Sequence, residues 1–279
     1  MPQVNRPDAA RRRFTARLLT GLVLALAAIL ATAFPTAAPA TDSNADPADA
    51  SRIPPFTASF EATAMASTLN ASMSLNHEDL RTRMAMDAHV TGFLRVLGRF
   101  ELSRESLLNT NGSGLHLISS RSHQVTPREE RKVETRLDHE EQQAIGHIDS
   151  ERFTLDVPEG TLDFLGSLYM MMQQLETGEL GVTGDTVRIR TLERDRLREY
   201  EFRRDGEETV DSGIGSLDTV RVVRRSDNGD VELAAWFAPD LNHIPVRFDY
   251  EAGGRVFELE LTALEWHEPI IDLTEDPNP

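Results

Sequence analysis

The sequence predicts a mainly β protein: a large curved antiparallel sheet, an open or incompletely closed β-barrel of about 10–12 strands, with one covering α-helix. Three observations predict it. Apolar and polar residues alternate in one run after another along most of the chain. Turn-forming clusters such as "NTNGSG", "SDNG" and "EAGG" separate several of the runs. A single segment, "TLDFLGSLYMMMQQLE", carries apolar residues three to four apart instead of two apart.

The runs begin at Phe56, Ala58, Phe60, Ala62 and Ala64. Met65, Leu69, Met73 and Leu75 then take the opposite phase. A one-residue shift exchanges the two faces of a strand, so the change near Met65 predicts a bulge or bend in one long strand. Met84, Met86, Ala88 and Val90 form the next run, followed by Phe100 with Leu102, and Leu115 with Leu117. Val133, Thr135 and Leu137 alternate with Lys132, Glu134 and Arg136. Phe153, Leu155 and Val157 follow, then Val187 with Ile189, Tyr200 with Phe202, and Val220 with Val222. The last runs are Leu233, Ala235 and Phe237; Val246, Phe248 and Tyr250; and Phe257, Leu259 and Leu261. The helical stripe is Leu162, Leu165, Leu168, Met172 and Leu175, with Gly178 as its stop. Strands with one wet and one apolar face make a sheet greasy on one side. So many strands in one sheet must curl or close, and a helix on the concave side covers part of the apolar face.

The two ends of the chain carry other signals. Arg11, Arg12, Arg13 and Arg17 precede the apolar run "LLTGLVLALAAILATAF", and Ala38-Pro39-Ala40 supplies small residues for cleavage. This is the pattern of a secretory signal peptide over residues 1–40, and it places the mature chain in the periplasm. An uncleaved anchor is the competing reading. With the signal removed, the product is not an integral membrane protein. Residues 41–53 are polar, proline-bearing and aperiodic, and read as a disordered leader. Residues 54–268 read as a single β-rich domain, and 269–279 as an acidic tail.

Charge narrows the partners. The chain of 279 residues has 29 basic and 46 acidic side chains and a formal charge of −17. Residues 1–40 contain five of the arginines and one aspartate, so cleavage leaves about −21. Such a field repels nucleic acid and anionic membrane surfaces. The chain has no cysteine, which excludes disulfides, thiolate metal sites and a thiol nucleophile.

Residues that carry chemistry do not fall into catalytic patterns. The nearest histidine cluster, His139, Glu140, Glu141 and His147, lacks metal-ligand spacing and sits in a charged stretch that reads as solvated strand and loop. No G-x-S-x-G, phosphate-loop or dinucleotide pattern occurs. A triad assembled only in space stays open as an unrecognised hydrolase. The reading is therefore a non-enzyme with no cofactor and no metal. Methionine is more suggestive. Met65, Met73, Met84 and Met86 lie on presumed inward faces and Met170, Met171 and Met172 on the helix, a supply of adaptable apolar surface.

The stretch "AAWFAPDLNHIPVRFDYEAGGRVFELEL" carries a resemblance. Aromatic residues Trp236 and Phe237 precede Pro239 and Asp240, and Pro245 opens an alternating run ending in a glycine turn. Upstream, "VTGFLRVLGRFELS" is similar to an early tight strand pair, "LDFLGSLYMMMQQL" to a single central helix, and "GIGSLDTVRVVR" to a strand with a glycine entry. Together these resemble the DUF3108 family of bacterial envelope proteins over most of residues 56–265. The match is poorest over residues 120–150, which are unusually charged here. The resemblance implies a fold similar to lipoprotein carriers: an incompletely closed sheet with a helical lid over an apolar concavity.

On that architecture the expected cavity lining is Met84, Met86, Leu165, Leu168, Met172, Phe202 and Trp236, and the expected occupant is a lipid-like or other apolar ligand. The alternative is an envelope interaction protein with a filled core and a protein partner. Pro239, Asp240 and Pro245 are expected to form a rigid rim turn. The two prolines fix φ and remove donors where no ladder is formed, and the Asp240 carboxylate accepts from nearby backbone N–H groups.

Overall fold

In the computed structural model, residues 53–64, 66–78, 80–110, 114–225, 231–251 and 256–267 are described. The expected signal peptide and leader up to residue 52, Met65, Asp79, residues 111–113, 226–230 and 252–255, and the expected acidic tail with residue 268 lie outside them. The first seven strands are β1 (Phe56–Ala64), β2 (Ser67–Glu78), β3 (Arg81–Gly92), β4 (Glu101–Asn109), β5 (His116–Val125), β6 (Glu130–Asp138) and β7 (Gln143–Ile148). After β8 (Glu151–Asp156) comes the helix α1 (Phe164–Thr177), then β9 (Thr186–Glu193), β10 (Arg196–Ser212) and β11 (Gly215–Arg225). β12 (Val231–Ala238), β13 (Ile244–Glu251) and β14 (Val256–Trp266) complete the chain.

All of them join one 14-stranded antiparallel sheet, in the order β8-β7-β6-β5-β4-β3-β2-β1-β14-β13-β12-β11-β10-β9. The first and last strands meet in the middle, where Phe56 pairs with Trp266. The free edges are β8 and β9, so the sheet is not closed. It is nonetheless strongly curved: α1 touches β3 and β4 in one arm and β9 in the other. The chain entering α1 also covers part of the β9 edge. Leu162 N donates to Arg190 O (2.9 Å), and Leu192 N donates to Leu162 O (2.7 Å).

The fold class is as the sequence predicts, with more strands, and two differences account for the excess. The phase change near Met65 is a hairpin, not a bulge: Ala64 pairs with Ser67, and Ala66 sits at φ 56. β7 has no visible alternation because its inward residues are Ala144 and Gly146. A Cβ on Gly146 would lie 2.3 Å from Glu134 O, so the β6–β8 arm excludes a larger side chain there. The domain also starts earlier than the composition implies. Ile53 is packed in the core, and its carbonyl bonds His77 Nε2 (2.7 Å).

The helix starts and stops as its residues dictate. Asp163 is the N-cap, its side chain accepting from Gly166 N (2.9 Å). Gly178 ends the helix at φ 79, a left-handed conformation that glycine adopts without a Cβ penalty. Leu162 is not helical; it forms the bridge to β9 instead. Leu165, Leu168, Tyr169, Met172 and Leu175 are all buried toward the sheet.

Candidate functional site

The concave interior holds an apolar recess between α1 and the arm β9–β13. Phe164, Leu168 and Met171 form the helix wall; Leu192, Phe202, Val222 and Phe248 stand opposite. Strand pairing explains the layout. Val222 faces Ala235, and Ala235 faces Phe248, so one inward row crosses three strands. The recess is a cavity of about 40 Å³ opening to solvent. It is narrow, and the side chains of α1 already take up most of the concavity.

Polar groups gather at one end. Glu193 is buried, accepts from the Tyr200 hydroxyl and lies 3.0 Å from Arg198 Nε. Burial pushes the Glu193 carboxyl above its ordinary range and the Tyr200 phenol well above its own. Arg224 lies over the Tyr200 ring (4.4 Å) and reaches Glu232 (3.5 Å). Ser167 Oγ and Thr191 Oγ1 are 3.3 Å apart.

The lining residues expected from sequence divide three ways. Leu168 and Phe202 line the recess. Met84, Met86, Leu165 and Met172 face the interior but sit in close-packed core away from it. Trp236 is on the other face of the sheet, between Arg221 and Arg247 with their charges 5.3 and 4.9 Å from its ring. Its indole N–H donates to Glu208 Oε1 (2.6 Å). Alternation puts Ala235 inward and Trp236 outward, and the flap described below is what buries it.

That flap is the end of the β10–β11 hairpin. Asp205 is an extra residue in β10, where the register shifts between Arg204 and Gly206. Beyond this bulge the hairpin reaches β14, and Gly213 N donates to Leu261 O (2.8 Å). With the flap outside and the core inside, Leu233–Ala238 of β12 are buried throughout.

The rim turn has a different construction from the one expected. Pro239–Leu241 form a short 3-10 turn after an extended Ala238 (φ −91, ψ 113), and Pro239 is exposed. The Asp240 carboxylate accepts no hydrogen bond among the described residues. The turn is closed by its backbone, Asn242 N to Pro239 O (3.2 Å) and His243 N to Ala238 O (2.9 Å). Pro245 is not outside the ladder; it is buried within β13 opposite Phe237, beside a register shift. The turn docks on the helix through His243 Nδ1 and Glu176 Oε2 (2.8 Å), a contact sequence reasoning missed.

A second recess adjoins the first; Phe164 and Leu192 line both. Its lining comes from β4–β6 and the end of β9, including Arg104, Ser120, Ser122, Arg131, Asp163 and Arg194. The poorly matched segment around 120–150 thus supplies interior surface and not only solvated loop. Within that segment His139 bonds Leu117 O (2.9 Å) while His147 is exposed on β7.

A curved 14-stranded sheet around a helix, with an apolar recess between them, defines a β-barrel-like protein of the helix-lidded kind. The sequence model of "Protein of unknown function (DUF3108)" matches residues 56–260, and the chain belongs to that family. Among solved structures, it is similar to a β-barrel-like protein of the domain of unknown function DUF1849 from Brucella abortus. The TM-score is 0.53 at 11% identity, covering 78% of this chain and 99% of that one. This likeness is one of fold. No curated protein matches the sequence significantly.

Proposed function

We propose that the protein is a non-catalytic periplasmic binding protein that takes an apolar, lipid-like chain into the recess between α1 and β9–β13. The observation that carries this reading is the recess itself: an open cleft walled by Phe164, Leu168, Met171, Phe202, Val222 and Phe248 between the helix and the curved sheet. Apolar burial supplies the driving force, about 25 cal/mol per Å² before the costs of ordering. The test is an organic-solvent extract of protein purified from its natural envelope. Mass spectrometry should find a co-purifying apolar compound, and a protein chain beginning at Thr41. A chain still carrying Leu18–Phe34 would overturn the periplasmic assignment, and protein that neither yields such a compound nor takes up an apolar fluorescent probe would overturn the binding assignment.

One observation favours the alternative of an interaction protein. The 3-10 turn Phe93–Leu97 between β3 and β4 leaves Phe93 58%, Val96 81% and Leu97 43% exposed, a greasy tip suited to a protein partner in the envelope. On that reading the Val96→Asp substitution abolishes capture of the partner and leaves the recess untouched.

A further inference from the structure

The second recess holds a buried guanidinium with two nitrogens that have no hydrogen-bond partner among the described residues. Along β4 the inward residues are Leu102, Arg104, Ser106 and Leu108, so strand alternation carries Arg104 into the interior. Its side chain stacks on Phe164, 5.1 Å from guanidinium carbon to ring centre. Arg104 Nε and Nη2 are buried and bond nothing among the described residues. The residue is only 7% exposed.

Native structures rarely leave such a group unmatched, because a buried charge without hydrogen bonds costs several kcal/mol. Asp163 and the buried Glu193 are the carboxylates that act on Arg104, but neither bonds it among the described residues: Asp163 accepts from Ser106 Oγ and Gly166 N, and Glu193 from the Tyr200 hydroxyl. Burial dominates both groups: it pushes Asp163 up and Arg104 down to about 10, so their attraction does not offset the loss of water on either side. The surroundings repeat the pattern. Arg131, paired with Glu129, and the half-buried Arg194 line the same recess; burial first, and then the neighbouring Arg131, hold the Arg194 guanidinium below its ordinary range. Four guanidinium groups, of Arg104, Arg121, Arg131 and Arg194, thus line one recess in a protein whose formal charge is −17, Arg121 being paired with Glu105. Ser120 and Ser122 add hydroxyl donors on the neighbouring strand.

We propose that Arg104 binds the anionic headgroup, a carboxylate or a phosphate monoester, of a single-chain amphiphile whose chain lies in the adjoining apolar recess. This rests on the reading of that recess as a ligand site. Phe164 joins the two halves, presenting one surface to the guanidinium and lining the apolar cleft as well. A headgroup at Arg104 supplies the acceptors its Nε and Nη2 lack, and a planar guanidinium suits two oxygens at once. Arg131 and Arg194 complete the positive field around it.

The test is calorimetric titration of the mature chain at low salt with dodecanoate, dodecyl phosphate, dodecanol and inorganic phosphate. Wild-type protein is expected to bind one or both anionic chains at least about tenfold more tightly than dodecanol. In Arg104→Gln that preference is lost while dodecanol affinity is kept. A preference for dodecanoate identifies a carboxylate head, one for dodecyl phosphate a phosphate head. Equal wild-type affinity for dodecanoate, dodecyl phosphate and dodecanol overturns the headgroup site and leaves the apolar recess standing. Binding of no chain at all overturns the recess reading itself. Arg104-dependent binding of inorganic phosphate without chain binding also overturns the amphiphile, leaving a site for a free anion. The wild-type comparison decides these outcomes even if Arg104→Gln fails to fold.

Discussion

Leu168 is the residue at which stability and binding meet. It is buried on α1, yet its side chain forms one wall of the recess and so has fewer protein neighbours than a sealed core leucine. Leu168→Ala is expected to cost toward the lower end of about 2–5 kcal/mol, measured by urea unfolding, and to change the affinity of an apolar fluorescent probe. Leu165, one turn back and sealed in the core, should cost more when truncated and leave the probe unaffected. Asp163 gives a pH signature. Burial raises its pKa, so the native state keeps this proton at pH values where the unfolded chain has lost it. Its contribution is fully present below the ordinary aspartate pKa and is lost as pH rises through the raised native value. Unfolding midpoints should therefore fall across that window. Asp163→Asn keeps a capping side chain but removes the titration, so the fall should become shallower. Glu193, shifted the same way, supplies the remainder. An unchanged slope in the variant would show that Asp163 does not titrate there.

Among the elements, the 239–243 turn is the clearest case of local chemistry making a tertiary contact. Pro239 opens the 3-10 turn at a φ it already prefers, and Asn242 and His243 both take positive φ (51 and 55) so that the chain reverses quickly. The reversal delivers His243 to Glu176 at the C-terminal end of α1. Pro239→Ala is expected to lower stability by about 0.4–1 kcal/mol, through the freer unfolded chain, with ligand or probe affinity unchanged. Lost affinity at an unaltered melting temperature would make the turn part of the site. The β10–β11 hairpin shows the opposite balance. Its position depends on a contact far away in sequence, Gly213 against Leu261 and Thr262. A Cβ on Gly213 would lie 2.7 Å from Thr262 Cα, a backbone atom that cannot turn aside. Gly213→Ala should cost about 1–3 kcal/mol and lift the flap. The readout is Trp236 emission, which shifts to the red as its indole loses Glu208 and meets water.

For the whole molecule, the sheet order explains why one helix suffices. With β1 and β14 paired at the centre, the two arms β2–β8 and β13–β9 curl toward each other and α1 lies between them, against β3 and β4 of one and β9 of the other. The segment 157–163 leaves edge strand β8, pairs Leu162 with edge strand β9, and caps α1 with Asp163. Edge protection and site construction therefore share the same few residues. The apolar recess falls on the β9 side of the helix and the arginine-lined one on the β4–β6 side.

The sequence by itself determined what depends on neighbours along the chain. Period-two runs specify strands because side chains alternate across a pleat, and the Leu165–Leu168–Met172 stripe specifies α1 because a helix repeats every three to four residues. Arg104 is in phase with Leu102 and Leu108, but an arginine in an inward position does not announce itself as apolar residues do, and sequence reasoning missed it. Tertiary structure alone decided the rest. β7 is a strand because it pairs with β6 and β8, and the packing there leaves no room for a Cβ at Gly146, a constraint with no local signature. Trp236 is buried on the outer face because a flap some 25 residues earlier in the chain covers it, whereas period alone distinguishes two faces without saying which is inside. The two recesses adjoin because the sheet curls, and curvature brings β4 and β9 to one helix across more than eighty residues of chain.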